Sequence, residues 1–184
     1  MVLLIIIGIS TVIKGDYHSY NYNDEYLGND IGTPFESTHS SSRYALIKSI
    51  VDDHTIFLSE DLAAFSSPDL TKTGDRYISI FTPGIALLGL PAYILGRFIG
   101  YPQLTTFIFF SLISLVNIYL VKNVAMLFKA SSYAGLVAGL VFVFCTNSFV
   151  YSATITQHNV STAIILATII LSFRSLTATN SALY

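Results

Sequence analysis

The chain has no acidic residue beyond Asp75; all eleven of its Asp and Glu residues fall between Asp16 and Asp75. A water-soluble domain scatters carboxylates over its whole surface, so this distribution excludes an ordinary soluble fold for the second half. A carboxylate at the centre of a bilayer costs on the order of 2.5–3.5 kcal/mol on insertion scales, and lipid is the solvent that selects against it. Charge of either sign is scarce. Asp, Glu, Lys and Arg make up 11% of the chain, where soluble domains carry about 25%. There is no basic tract, which argues against nucleic acid as a partner. Cysteine is almost absent: Cys145 stands alone, so no intramolecular disulfide forms, and its place inside an apolar run reads as a small core residue. The motifs of soluble enzymes are missing too, with no Gly-rich phosphate loop, no GxSxG and no HExxH.

What is present is apolar, since hydrophobic residues make up 53% of the chain. Residues 1–13 form a first apolar run, short of the roughly 20 residues a span needs. Residues 15–41 are polar and without period, hence loop. In the following SSRYALIKSIVDD, Leu46, Ile47, Ile50 and Val51 fall on one helical face, and Ser41 or Ser42 is placed to cap the start. This predicts an interfacial helix lying on the membrane. Pro68 and Gly74 mark turns in a second polar stretch, and Ile56 to Leu58 predict a short extended piece. Four apolar stretches follow, at 77–99, 104–121, 133–151 and 160–173. Pro83-Gly84 suits a helix entry, and Gly135-x-x-x-Gly139 allows close helix approach.

The pattern predicts an all-α membrane protein with about five transmembrane helices and a large polar extracytoplasmic loop containing an interfacial helix. Its divisions are a first transmembrane helix at 1–14, the loop with its juxtamembrane helix at 15–76, a four-helix transmembrane region at 77–173 and a tail at 174–184. The short first run and the last residues both read as cut, which predicts a fragment of a longer protein. The basic residues give no clean vote on orientation, because Arg97 and the pair Lys122 and Lys129 fall on opposite sides.

Three segments carry a likeness: residues 41–62, 74–97 and 146–171. In this order they resemble the N-terminal part of multi-pass glycosyltransferases of the GT-C superfamily, such as relatives of the dolichyl-phosphate-mannose protein mannosyltransferases and the aminoarabinose transferases. The resemblance rests on Ser42-Arg43-Tyr44-Ala45-Leu46, on Arg76-Tyr77 through Pro83-Gly84-Ile85, and on Thr146, Tyr151 and His158. It implies an integral, multi-pass protein of a prokaryotic cell membrane. The implied reaction moves a sugar from a polyprenyl-phosphate donor to an acceptor hydroxyl, on a protein or a glycan, at the extracytoplasmic face. Membrane lipid is the other implied partner, and a divalent metal requirement stays open. Two departures stand out. The family's Asp-Lys before Pro-Gly corresponds to Ile80-Phe81, and serines stand where catalytic members carry an acid before Arg-Tyr.

Such a transfer needs a carboxylate to take the acceptor's proton and cations to stabilise the departing phosphate. The candidate bases are Asp16, Asp24, Glu25 and Glu36, of which one at most serves. His18, Asp16, Asp24 and Glu25 form a dense polar cluster, but their spacing matches no standard metal site. Arg43 and Arg76 are the phosphate candidates, since guanidinium matches phosphate bidentately; each has the alternative of anchoring at the headgroups. Tyr44 and Tyr77 either stack on sugar or belong to the interfacial aromatic belt. His158 is a substrate-binding candidate by resemblance and otherwise a polar helix-start residue. Asn159-Val160-Ser161 matches a glycosylation sequon at a membrane edge, where occupancy is not expected. A non-catalytic multi-pass subunit or binding partner is the alternative, favoured by the two departures. A transporter or channel ranks last, because the back half lacks the intramembrane acids that mark ion pathways.

Overall fold

A computed structural model describes Phe35 and residues 38–181. It is mostly helical and resolves into two units. One comprises the described residues up to Phe110 together with Ala153–Thr156; the other comprises Ser111–Ser152 and residue 157 onward. The first apolar run, residues 1–13, lies outside the described residues.

The first unit is built around helix α1, Thr38–Asp52. Ten consecutive residues, Ser40 to Ser49, are buried on every side of it. The expected interfacial helix is therefore a helix, but one enclosed by protein and without a lipid-facing stripe over that stretch. It also begins before the expected caps: Ser41 lies inside it and donates to Thr38 O at 3.0 Å. Its serines explain the burial. Ser42 Oγ lies 2.7 Å from both Asp69 O and Ser79 Oγ, and Ser49 donates to Thr55 O and Phe57 O at 3.1 and 2.6 Å. Each small side chain admits a neighbouring segment and satisfies its backbone, which is the condition for burying polar groups.

Helix α2, Glu60–Ser66, follows, capped by Ser59 Oγ accepting from Leu62 N. Glu60 and Asp61 sit in its first turn, where the helix dipole favours negative charge. An antiparallel hairpin then pairs β1, Leu70–Thr73, with β2, Arg76–Ser79. Thr73 faces Arg76 across a two-residue turn in which Gly74 adopts φ +63°, open to glycine without steric cost. Leu58 bridges the other edge of β2 at Tyr77, so of the expected extended piece at Ile56 to Leu58 only Leu58 pairs, while Ile56 and Phe57 lie in bends. The hairpin corrects the all-α expectation, and residues 77–83 are strand and turn rather than the start of a span.

Helix α3, Gly84–Ile99, starts at Pro83, whose carbonyl accepts from Leu87 N at 2.8 Å, and stops at Gly100 with φ 88°. A Cβ on Gly89 would lie 2.7 Å from Ile47 Cδ1, so glycine sets how closely α1 and α3 approach. Phe35, Tyr44, Phe65, Tyr93 and Phe107 interlock as edge-to-face or tilted rings with centroids 4.9–5.6 Å apart, geometries that aromatic quadrupoles favour.

Helix α4, Pro102–Leu127, supplies Phe107 and Phe110 to the first unit and continues as the first element of the second. Lys129, with φ 63°, ends the turn after it, and Ser131 caps α5, Ser132–Phe144. Gly135 and Gly139 face α4 directly: a Cβ on them would stand 2.9 Å from Lys122 O and 2.5 Å from Ile118 O. The expected close approach is thus a backbone-level contact. The stretch 133–151 is not one helix. It breaks at Cys145 and Thr146, then resumes as α6, Asn147–Ser152. Cys145 is exposed, not a core residue. Helix α7, His158–Ser181, runs through most of the expected tail.

Pro102–Leu127 and His158–Leu176 are long and apolar enough to cross a membrane. Gly84–Ile99 and Ser132–Phe144 are apolar but shorter; at 1.5 Å per residue α3 is about 24 Å long, under the roughly 30 Å hydrocarbon core.

Candidate functional site

In the first unit, polar chemistry gathers around Arg43. The residue is 4% exposed, and its guanidinium lies 4.0 Å from the centroid of the Phe81 ring. Nη1 donates to His39 O at 3.0 Å and to Ile155 O at 3.5 Å. Burial pushes the guanidinium down from its ordinary value, and the Asp69 carboxylate partly offsets this. The carboxylate of Asp69 sits 3.7 Å from His39 Nε2, and its Oδ2 accepts no hydrogen bond. The Asp69 backbone is held by Ser42 and by Ile80 N. His39 is the exposed member and its ring meets Phe81 edge-on at 5.1 Å. The result is an exposed imidazole, a mostly buried carboxylate and a buried guanidinium at one end of α1.

The other end of α1 holds a second knot. Asp52, 1% exposed at its side chain, accepts from Lys48 Nζ at 3.0 Å and Tyr93 Oη at 2.7 Å, and its Oδ1 forms an ion pair with Arg97 Nη1 at 2.6 Å. A carboxylate at a helix C-terminus opposes the dipole, and two cations answer it here. Beside Arg97, a cleft of 360 Å³ is lined by Val51, Ile94 and Phe98.

The remaining candidates of this unit separate. Tyr44 is fully buried in the aromatic cluster and presents no face to a sugar. Arg76 is exposed on β2, over the Phe57 ring at 4.7 Å. Tyr77 borders a 470 Å³ cleft with Glu60, Ser67 and Leu70, and Lys72 lies over its ring. Asp16, Asp24, Glu25 and Glu36 lie outside the described residues. Among the described residues, no group of three His, Cys, Asp or Glu gathers in a way that holds a metal.

The second unit has its own polar centre. Asn159, 4% exposed, donates to Ser114 Oγ at 2.8 Å and Ser148 O at 3.1 Å, and accepts from Ser148 Oγ at 2.8 Å. Asn117 donates to Asn159 O at 3.0 Å, and Ser111 to Ser152 O at 2.5 Å. These bonds staple α4, α6 and α7. With both amide hydrogens engaged and its side chain buried, Asn159 is no glycan acceptor in the folded protein. His158 is exposed at the start of α7 and stacks on Tyr151 with centroids 4.1 Å apart. The pair lines a cleft of 330 Å³ together with Thr146, Ser148, Ser161 and Thr162.

Sequence reasoning missed His39 and Asp69, which lie thirty positions apart and meet only because the hairpin returns to α1. It also missed the Asp52 knot, although Lys48 and Asp52 at i, i+4 were a usable signal. No protein-family model, no curated protein and no solved structure matches the chain.

Proposed function

We propose that the chain is a multi-pass membrane glycosyltransferase of the GT-C kind, which moves a sugar from a polyprenyl phosphate to an acceptor hydroxyl at the extracytoplasmic face. In this reading the shorter apolar helices α3 and α5 are spans alongside α4 and α7, the run at 1–13 is the first, and α1, α2 and the hairpin form the extracytoplasmic loop. One observation carries the proposal. The separate segments that bear the family likeness fold onto each other: Arg43 rests on Phe81, Ser42 bonds Ser79, and Ile155 O accepts from Arg43. Residues spaced over more than a hundred positions are expected to converge this way if the likeness reflects a shared scaffold.

The proposal divides the labour as follows. Apolar helices hold the lipid tail. Arg76, exposed, is the better placed of the two arginines to meet a phosphate. The proton acceptor comes from the loop acids Asp16, Asp24, Glu25 and Glu36. Deleting the gene in its host is expected to raise the pool of its polyprenyl-phosphate sugar and remove one glycan. Restoration by an Arg76→Ala chain at wild-type level counts against this assignment of the phosphate ligand.

A second reading, a non-catalytic membrane subunit, is favoured by the burial of Arg43 and Tyr44, which are absorbed in packing rather than offered to substrate. It predicts that amides in place of all four loop acids leave function intact.

A further inference from the structure

The cations of the second unit gather at one end. Lys122, Lys129 and Arg174 are the Lys and Arg residues of its sequence, and no acid occurs after Asp75 to offset them. Lys122 stands in the last turns of α4, and Lys129 ends the turn that follows. Arg174 belongs to α7. It reaches the same end because Phe128 and Phe173, each directly before a cation, meet with ring centroids 6.2 Å apart. A Cβ on Gly135 would lie 3.3 Å from Lys122 Cγ, so the stem of Lys122 runs against the start of α5. The opposite end of the unit, where Ser111 bonds Ser152 and Ser114 bonds Asn159, carries neither Lys nor Arg.

Exposed rings share the end with the cations. Tyr119 is 62% exposed, Phe128 71% and Tyr133 77%. Water disfavours such a group of large rings, and it does nothing to offset three like charges. An anionic bilayer surface accommodates both features. Aromatic rings settle at the level of the headgroups, and each Lys or Arg near anionic lipid is attracted to it. Helix length brings the cations to that level. At 1.5 Å per residue the 26 residues of α4 extend about 39 Å, beyond a hydrocarbon core of roughly 30 Å. Arg174 falls in the last turn of the apolar stretch His158–Leu176. Long basic side chains at helix ends place their stems on apolar surface and their charges in the headgroups.

We infer that this end of the second unit docks onto anionic phospholipid, with Lys122, Lys129 and Arg174 facing the charged headgroups and Tyr119, Phe128 and Tyr133 seated at the acyl boundary. The inference rests on the proposed insertion of α4 and α7, and goes beyond it in making the protein select its surrounding lipid by charge.

The test places the full chain in nanodiscs of phosphatidylcholine and phosphatidylglycerol in equal parts. Lipid that stays bound after the disc is removed is read by native mass spectrometry. Phosphatidylglycerol is expected to be retained over phosphatidylcholine by about fivefold or more, the effect of a single cation near a charged surface. Changing all three, Lys122→Gln, Lys129→Gln and Arg174→Gln, should bring the two lipids to parity. The charge-preserving set Lys122→Arg, Lys129→Arg and Arg174→Lys should keep the preference, as should Lys72→Gln in the first unit. Equal retention by the unaltered chain, or a preference that survives the triple Gln change, overturns the inference. Displacement of phosphatidylglycerol by soluble polyglutamate also overturns it, and assigns the surface to an acidic polypeptide. Insertion is measured separately. The chain has no Trp, so Leu171→Trp, at a site 65% exposed, gives a single reporter for quenching by brominated lipid. Quenching without a lipid preference overturns the docking surface and leaves the membrane reading standing; no quenching overturns both.

Discussion

The guanidinium of Arg43 lies 4.0 Å from the centroid of the Phe81 ring, and its Nη1 donates to His39 O at 3.0 Å. The side chain is thus enclosed in packing, with the residue 4% exposed. Arg43 should therefore behave as a structural residue. Arg43→Ala would strand the carbonyls of His39 and Ile155 and leave Asp69 without its counter-charge. The expected cost is about 2–4 kcal/mol, read as a lower melting temperature of the purified chain. A variant with normal stability and lost ligand binding would reverse this assignment.

The Asp52 knot joins α1 to α3 through Tyr93 and Arg97. Asp52→Asn leaves Lys48 and Arg97 without their shared carboxylate. With Arg97 37% exposed at its side chain, solvent screening limits the loss to about 1–3 kcal/mol. Tyr93→Phe, which removes only the hydroxyl, should cost about 1 kcal/mol. A double-mutant cycle on these two positions should show coupling, since one change removes the donor of the 2.7 Å bond and the other removes the charge on its acceptor. Strict additivity would mean that the bond contributes nothing in solution.

Gly139 faces Ile118 O so closely that any side chain displaces the helix. Gly139→Leu should push α5 from α4 and destabilise the second unit by about 1–3 kcal/mol. Gly74→Ala, at a hairpin turn with φ +63° and open space around it, should cost about 1 kcal/mol by strain alone. Thermal unfolding of the two variants separates a packing effect from a backbone one.

His39 and Asp69 offer a further check on the loop chemistry. Asp69→Asn removes the charge that offsets the burial of Arg43. A loss of about 1–2 kcal/mol is expected. His39→Gln, at an exposed site with only a 3.7 Å ion-pair approach, should change stability by less than about 0.5 kcal/mol. Unfolding curves showing the opposite ranking would place the imidazole, not the carboxylate, at the centre of the cluster.

Helix positions were legible where apolar runs were long. The starts of α4 and α7 and the close approach at Gly135 and Gly139 followed from residue type and spacing. Helix α1 was legible as a helix but not in its surroundings. Its serines look solvated in one dimension, and only the returning backbone of Asp69, Thr55 and Phe57 buries them. The turn at Gly74 was read but its flanking strands were not, because the charge and apparent polarity of Leu70–Thr73 and Arg76–Ser79 favoured loop. The break at Cys145 and Thr146 was hidden by continuous apolarity, which does not distinguish one helix from two. Of the site residues, His158 was legible as a helix-start residue and the structure adds the cleft beside it, while Tyr44 was assigned a surface role and lies in the core.

The central claim is sugar transfer from a lipid phosphate. Its most direct test incubates the full chain in liposomes with a set of polyprenyl phosphates carrying radiolabelled sugars, together with a membrane extract of its host as acceptor source. The account predicts that label from one of them leaves the organic-soluble lipid and appears in polymeric acceptor, and that the chain with Asp16, Asp24, Glu25 and Glu36 all changed to amides loses this transfer. Label that stays on lipid in every case, while the chain still binds the lipid, would contradict the transferase reading and leave a binding subunit.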